Sequence, residues 1–235
     1  MDASIRLLIH GANGRMGRAL QRLCREGGAC EVVAAVSRKV ESRAVDGIPQ
    51  FAASELGGVP SFDAAIDFSL PAGFDAVLDL CLQRGTPLAS GTTGLSPEQQ
   101  SRLDAAGSRI PLVWASNFSL GVAVLHDLVE RAARALPGWD CDIVEMHHAR
   151  KVDAPSGTAL TLGMAAGEGG AQPRYASIRA GDIVGEHLVQ FATDGERLEL
   201  VHRATDRDIF ARGALHAARA LVGRAPGRYR VRDLI

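Results

Sequence analysis

The sequence predicts an α/β protein: a Rossmann-like, doubly wound parallel sheet, joined to a second α+β lobe with a mainly antiparallel sheet. Three observations carry this. The first half alternates short apolar runs with amphipathic stretches. A glycine loop, GANGRMG, stands between the first such run and the first such stretch. Beyond residue 118 longer strand-like runs follow one another without full-length helices between them.

The runs IRLLIH (5–10), EVVAAV (31–36), AAIDFS (64–69), TPLAS (86–90) and IPLVWAS (110–116) read as strands buried on both faces, which lose polar alternation. Helical patterns at 15–26, 73–84 and 97–107 lie between most of them. SLGVAVLHDLVERAARAL (119–136) is one long amphipathic helix. CDIVEMHH (141–148), AGDIVGEHLVQFAT (180–193) and RLELVHRAT (197–205) read as longer strands, with Asp194-Gly195 as a hairpin turn. The stretch AAGEGGAQP (165–173) reads as loose. FARGALHAARALVG (210–223), a helix, and YRVRDLI return to the character of the first half. The expected division is a dinucleotide-binding domain of 1–118 with 207–235, and a substrate-binding and oligomerisation domain of 119–206.

With 235 residues, 46% hydrophobic and 23% charged, the chain reads as a soluble globular protein. A formal net charge of −1 supplies no general attraction to nucleic acid or to an anionic membrane. No apolar run approaches the roughly 18 residues of a membrane span, and MDASIRLLIH runs into a strand without a basic leader, so the cytoplasm is expected. Cys24, Cys30, Cys81 and Cys141 form no CxxC pair and read as reduced core thiols; no metal site is expected.

GANGRMG follows a strand and opens a helix, the setting in which a glycine pattern means a dinucleotide loop. Gly11, Gly14 and Gly17 form a G-x-x-G-x-x-G variant, with Asn13 where the common fingerprint has its second glycine. The helix start can still offer unpaired N–H groups to a pyrophosphate. About 20 positions on, where a carboxylate would take a ribose 2′-hydroxyl, stand Ser37, Arg38 and Lys39. A hydroxyl beside two cations favours a 2′-phosphate, so NADPH is the expected cofactor, with NADH possible. DFSLP (67–71), SGTTG (90–94) and ASNFS (115–119) end later strands on the same sheet edge and together read as a nicotinamide wall.

HHARKVDAPSGTA (147–159) has two physical readings. It is a polar strand end followed by an ordinary capped helix, or it is a proton donor beside an anion site. In the second reading His147 and His148 face opposite sides, Lys151 adds a fixed cation, Ser156 caps a helix, and Gly157 and Thr158 expose backbone N–H groups to a carboxylate. No HExxH pattern supports a metal there. The two tyrosines, Tyr175 and Tyr229, lack a lysine four residues later, which disfavours a short-chain dehydrogenase.

These blocks resemble, nearly end to end, the 4-hydroxy-tetrahydrodipicolinate reductase (dihydrodipicolinate reductase) family of lysine and diaminopimelate biosynthesis. GANGRMGR, SGTTG, ASNFSLGV, HHARKVDAPSGTAL, RAGDIVGEH and HRATDRDIFARGA fall in that family's order. HHxxKxDAPSGTA is the most specific of them. The resemblance implies hydride transfer from NAD(P)H to a cyclic imine dicarboxylate. His147 is then the proton donor and Lys151 its partner, with His148, Gly157 and Thr158 binding substrate carboxylate. Implied cofactor contacts are Gly11, Ala12, Asn13, Gly14, Arg15, Met16, Ser37, Arg38, Phe68, Gly91, Thr92, Thr93, Ala115, Ser116, Asn117 and Phe118. The implied assembly is a homotetramer built on the second lobe. Two departures stand out: Ser37 replaces an acidic residue common in the family, which sharpens the NADPH expectation, and LGMAAGEGGAQPRYAS (162–177) is shorter than usual.

Overall fold

A computed structural model describes residues 4–235; the first three positions of the expected first domain lie outside the described residues. The chain divides into two compact units. One comprises the described residues up to Phe118 together with Phe210–Ile235, and the other is Ser119–Ile209.

In the first unit β1 (Ile5–His10), α1 (Arg15–Gly27) and β2 (Cys30–Ser37) form the opening βαβ, followed by β3 (Ala44–Val45), β4 (Ile48–Ala52), β5 (Ala64–Asp67), α2 (Pro71–Arg84), β6 (Leu88–Ser90), α3 (Pro97–Ala106) and β7 (Pro111–Trp114). The second unit holds α4 (Leu120–Ala135), β8 (Asp140–His147), α5 (Gly157–Glu168), β9 (Pro173–Arg179), β10 (Gly185–Thr193) and β11 (Glu196–Ala204), after which α6 (Asp208–Leu221) and β12 (Gly227–Tyr229) return to the first.

The first sheet has the order β12-β7-β6-β5-β1-β2-β4-β3, parallel except for the β3-β4 hairpin. Strand order reverses between β1 and β5, and in open α/β sheets ligands bind at the carboxyl ends of the strands flanking such a switch point. Apolar side chains from α2 and α3, among them Phe74, Leu78 and Leu103, pack on one face against Leu8, Ala65, Leu88 and Leu112. The β3-β4 hairpin and the 3₁₀ turn at Ala53–Gly58 lie where the sequence pattern offers no periodic signal.

The second sheet runs β11-β10-β8-β9, antiparallel except that β8 and β9 are parallel. Its inner face packs Ile143, Val189 and Phe191 against Leu125 and Val129 of α4 and Leu162, Ala165 and Ala166 of α5. Two expectations are corrected here. The stretch 165–173 is not loose at its start, because α5 continues to Glu168 and buries Ala165 and Ala166; tertiary burial outweighs the low helix propensity of its glycines. The strand expected at 180–193 begins only at Gly185, and β9 was not expected at all, because its residues are mostly exposed and do not alternate.

The outer face of this sheet is different in kind. Cross-strand register sets Ile178, Met146 and Glu186 in one row with Arg203, and Ala176, Val144 and Leu188 in the next with Val201. Ile178 and Val201 are more than 40% exposed, so this apolar strip is uncovered within one chain. No helix among the described residues is long and apolar enough to cross a membrane.

Candidate active site

The first unit builds its part of the site from backbone. Gly11 sits at φ +81°, and a Cβ there would lie 2.4 Å from the Phe68 carbonyl oxygen, so only glycine permits the close passage of the β1 and β5 ends. A Cβ on Gly17 would lie 2.4 Å from the Gly11 carbonyl oxygen, so α1 packs hard against the loop. Gly14 is the N-cap of α1 and offers no side-chain acceptor, leaving the first-turn amides for an anion. Ala12 is buried, while Asn13, Gly14 and Arg15 are exposed and Met16 half-buried. A glycine cradle at a helix start, shaped by contacts a Cβ would break, fits a dinucleotide pyrophosphate.

The Ser37 hydroxyl accepts the Asn13 backbone N–H at 3.0 Å, and the Asn13 side-chain amide donates to the Lys39 carbonyl at 3.3 Å. These bonds tie the end of β2 to the glycine loop and leave Arg38 and Lys39 exposed beside it.

Gly91 to Thr93 follow β6, and Ala115 to Phe118 follow β7, on the same edge as the glycine loop. A Cβ on Gly91 would lie 2.1 Å from the Phe68 ring, so Phe68 covers that backbone. Phe68 meets Phe118 edge-on, with centroids 5.6 Å apart. Phe118 itself is buried and Thr92 turns inward, so both support the wall from behind; Thr93 and Ser116 are exposed. A buried carboxylate organises this edge. Asp67 accepts from Thr92 Oγ1 at 2.7 Å, Ser90 Oγ at 2.8 Å and the Ser69 backbone N–H at 3.1 Å, and pairs with His10 Nδ1 at 2.9 Å. Burial pushes its pKa up, but His10, Ser69 and Thr92 more than offset this and hold the carboxyl below its ordinary value.

The second unit builds with charged side chains. His147 ends β8 and is buried, while His148 is half-buried just past the strand. His147 Nδ1 bonds to Glu145, two residues back on the same strand face and fully buried. Arg179, opposite His147 in the β8-β9 register, forks onto Glu145 at 2.6 and 3.0 Å. Burial would raise the Glu145 pKa, yet bonds from Arg179, Ser177 and His147 hold it down to about 2. Burial lowers the His147 pKa, Glu145 opposes it, and Lys151 and Arg179 add to it.

Lys151 Nζ reaches both oxygens of Asp153 at 2.8 Å. His148 has its pKa lowered first by burial, then by Arg150, Arg207, Lys151 and Arg179, a concentration of cations that suits a multiply charged anion. Ser156 caps α5 by accepting the Ala159 N–H at 3.2 Å, so Gly157 and Thr158 are the first residues of the helix, with Gly157 exposed and Thr158 half-buried. Glu145 thus links His147 to Ser156, the cap immediately before Gly157 and Thr158, while His148 follows β8 and Lys151 pairs with Asp153 in the intervening loop.

Three contributors escaped the sequence reading. Glu145 was within reach, because a residue at i−2 shares a strand face with His147. Arg179 was not, since β9 was not anticipated. His187 of β10 was hidden as a core position: its ring lies edge-on to His147 at 5.3 Å, and burial, then the charges of His147 and His202, push its pKa down to about 4.

The family model described as the N-terminus of dihydrodipicolinate reductase matches residues 5–118, and that described as its C-terminus matches 121–235. The chain belongs to the dihydrodipicolinate reductase family. A 4-hydroxy-tetrahydrodipicolinate reductase of Stenotrophomonas maltophilia is 70% identical, with 98% of each chain covered. One of Xylella fastidiosa is 64% identical, with 100% of each covered. In fold, the chain is similar to a dipicolinate-bound dihydrodipicolinate reductase from Paenisporosarcina sp. TG-14, with a TM-score of 0.85 at 22% identity, covering 99% of this chain and 100% of that one. It is more distantly similar to a myo-inositol dehydrogenase of Corynebacterium glutamicum, with a TM-score of 0.62 at 13% identity, covering 95% and 91%. For this member of the dihydrodipicolinate reductase family, the N-terminal match and the glycine cradle together indicate a nicotinamide dinucleotide as cofactor.

Proposed function

We propose that this protein reduces 4-hydroxy-tetrahydrodipicolinate, a cyclic imine carrying two carboxylates, to tetrahydrodipicolinate. The reaction consumes NAD(P)H and a proton and releases NAD(P)⁺ and water. The observation that carries the reading is the pairing, within a chain of this family, of a glycine cradle in one unit with a buried, carboxylate-held histidine beside a capped helix start in the other.

A bound reduced nicotinamide supplies the hydride. The chain's own work is the rest. The first-turn amides of α1 would hold the pyrophosphate, and Phe68, Gly91 and Ala115 would line the nicotinamide end of the cofactor site. Gly157 and Thr158 take one substrate carboxylate at the start of α5, and His148 the other. Lys151 leaves Asp153 for the incoming dianion. The 4-hydroxyl leaves as water together with a proton from an adjacent ring carbon. The conjugated imine so formed takes the hydride at the carbon that bore the hydroxyl, and His147 delivers a proton to the neighbouring ring carbon from Nε2, because its Nδ1 is occupied by Glu145. A dicarboxylate arriving near His147 favours the imidazolium and so counters the lowering by burial.

The preference is for NADPH over NADH. Ser37 ties Asn13 rather than presenting a carboxylate, and Arg38 with Lys39 stand exposed beside the loop to meet a 2′-phosphate. The assembly is a homotetramer formed through the outer face of the second sheet, where exposed Ile178 and Val201 leave apolar surface for a second copy of the chain to cover. Four buried free cysteines suit the reducing cytoplasm as its location.

The test is to generate the imine from pyruvate and aspartate semialdehyde and follow consumption of each reduced cofactor. Loss of NADPH faster than NADH at equal concentration is expected. Consumption of neither overturns the activity, and a clear NADH preference overturns the cofactor assignment.

A further inference from the structure

Glu145 joins the polar contacts around His147 to those at the start of α5. One carboxylate oxygen, Oε2, accepts from His147 Nδ1 and from Arg179 at 3.0 Å. The other, Oε1, accepts from Arg179 at 2.6 Å and from the backbone N–H of Ser156, the α5 cap, at 3.3 Å. The same Arg179 guanidinium donates to the Asp153 carbonyl at 2.6 Å, inside the loop between Lys151 and the helix. Glu145 is fully buried, and the Arg179 side chain is 18% exposed. A charge so deeply buried is tolerated only when paired and hydrogen-bonded on both oxygens, and here both are used.

We propose that Glu145 is a positioning residue for both halves of the dicarboxylate site: one oxygen fixes the imidazole that gives the proton, the other fixes the helix start that holds the anion. This rests on the reductase reading for the identity of the reaction, but not for the geometry. Glu145 touches neither substrate nor cofactor in the proposed mechanism. It orients His147 so that Nε2 is the exchangeable position, and it holds the cap of α5 at a fixed offset from that nitrogen. Arg179 keeps Glu145 ionised and ties the intervening loop to β9. The groups facing His147 are Glu145 on its own strand, Arg179 on β9, Lys151 in the loop and His187 on β10.

This separates a positioning role from a merely structural one by sign. Glu145→Gln removes the anion beside His147, and Arg179→Met removes a cation, so the two changes move the His147 titration in opposite directions. The experiment reads the His147 titration midpoint by ¹⁵N NMR on the full chain, together with calorimetric affinity for pyridine-2,6-dicarboxylate and steady-state rates. Glu145→Gln is expected to lower the midpoint by about one pH unit, weaken the dicarboxylate by about five-fold, and lower kcat roughly ten-fold to a hundred-fold. Arg179→Met is expected to raise the midpoint, and Glu145→Asp to restore it towards the parent value.

Should Glu145→Gln not fold, the Arg179→Met midpoint decides alone. A midpoint unchanged in the folded variants, with dicarboxylate affinity within two-fold of the parent, overturns the proposal. An inactive parent protein overturns the reductase reading instead, and leaves the midpoints and affinities to decide the role of Glu145.

Discussion

The two units build their polar sites in opposite ways. The first uses backbone: Gly11, Gly14 and Gly17 strip away side chains so that the amides and positive dipole end of α1 are left bare. The second uses a buried polar network: the Glu145–Arg179 ion pair carries its charge, His147 bonds to Glu145, and His187 packs edge-on against His147. The contrast teaches where each unit is fragile. The cradle fails when an atom is added, and the network fails when a charge is removed.

The largest effect is expected from removing the acid. His147→Gln keeps a polar side chain but cannot protonate, and kcat should fall on the order of 10² to 10⁴-fold, with NADPH affinity within two-fold. Equal losses in NADPH affinity and kcat would break the division between units. Next is Gly11→Ala, where positive φ and a backbone clash combine; NADPH affinity should drop at least roughly ten-fold and the Tm should fall, both measurable by calorimetry. A Gly11→Ala protein with normal NADPH affinity would show that the cradle is not the nucleotide site.

Thr158→Val tests the helix start. Losing one hydrogen bond to a charged ligand is worth roughly 1.5 kcal/mol, so the substrate KM should rise about ten-fold with kcat nearly unchanged.

Acid sensitivity sharpens the comparison further. His187 has its folded pKa depressed to about 4, so the unfolded chain takes up its proton more readily, and stability falls as pH drops from about 6.5 to 4. Glu145, depressed to about 2, contributes stability that is present above its unfolded pKa and lost as pH falls further through that value. The stability of the second unit should therefore fall between pH 7 and 5, by on the order of 2 kcal/mol, and His187→Gln should flatten that slope. A slope unchanged in that variant would mean His187 does not titrate on unfolding. The smallest effect is Ser156→Ala, which removes the α5 cap and should cost about 1 kcal/mol in chemical denaturation.

The same contrast explains what the sequence made legible. The doubly wound sheet was readable because fully buried strands such as Leu7–Ile9 and Ala64–Ile66 carry no polar residue, and because GANGRMG needs its glycines in one spacing. The placement of His147 beside the start of α5 was readable because the two lie close in the chain. The network behind them was not, because it is assembled across strands: Arg179 reaches Glu145 only through the parallel pairing of β8 with β9, and β9 carries exposed residues without alternation. Asp67 was visible only as part of DFSLP; its role as acceptor for His10, Ser90 and Thr92 depends on three neighbouring strand ends. Backbone sites announce themselves locally, whereas charge networks are written in register.

The most direct measurement is isotope transfer: the protein is given the freshly formed imine and a reduced cofactor deuterated at the transferable position of its nicotinamide, and the product is weighed by mass spectrometry. Tetrahydrodipicolinate heavier by a single deuterium is the predicted result. Product without the label, or cofactor consumed without reduction of the imine, would contradict the assignment of hydride to the first unit's nucleotide and of the dicarboxylate to the second unit's histidine site.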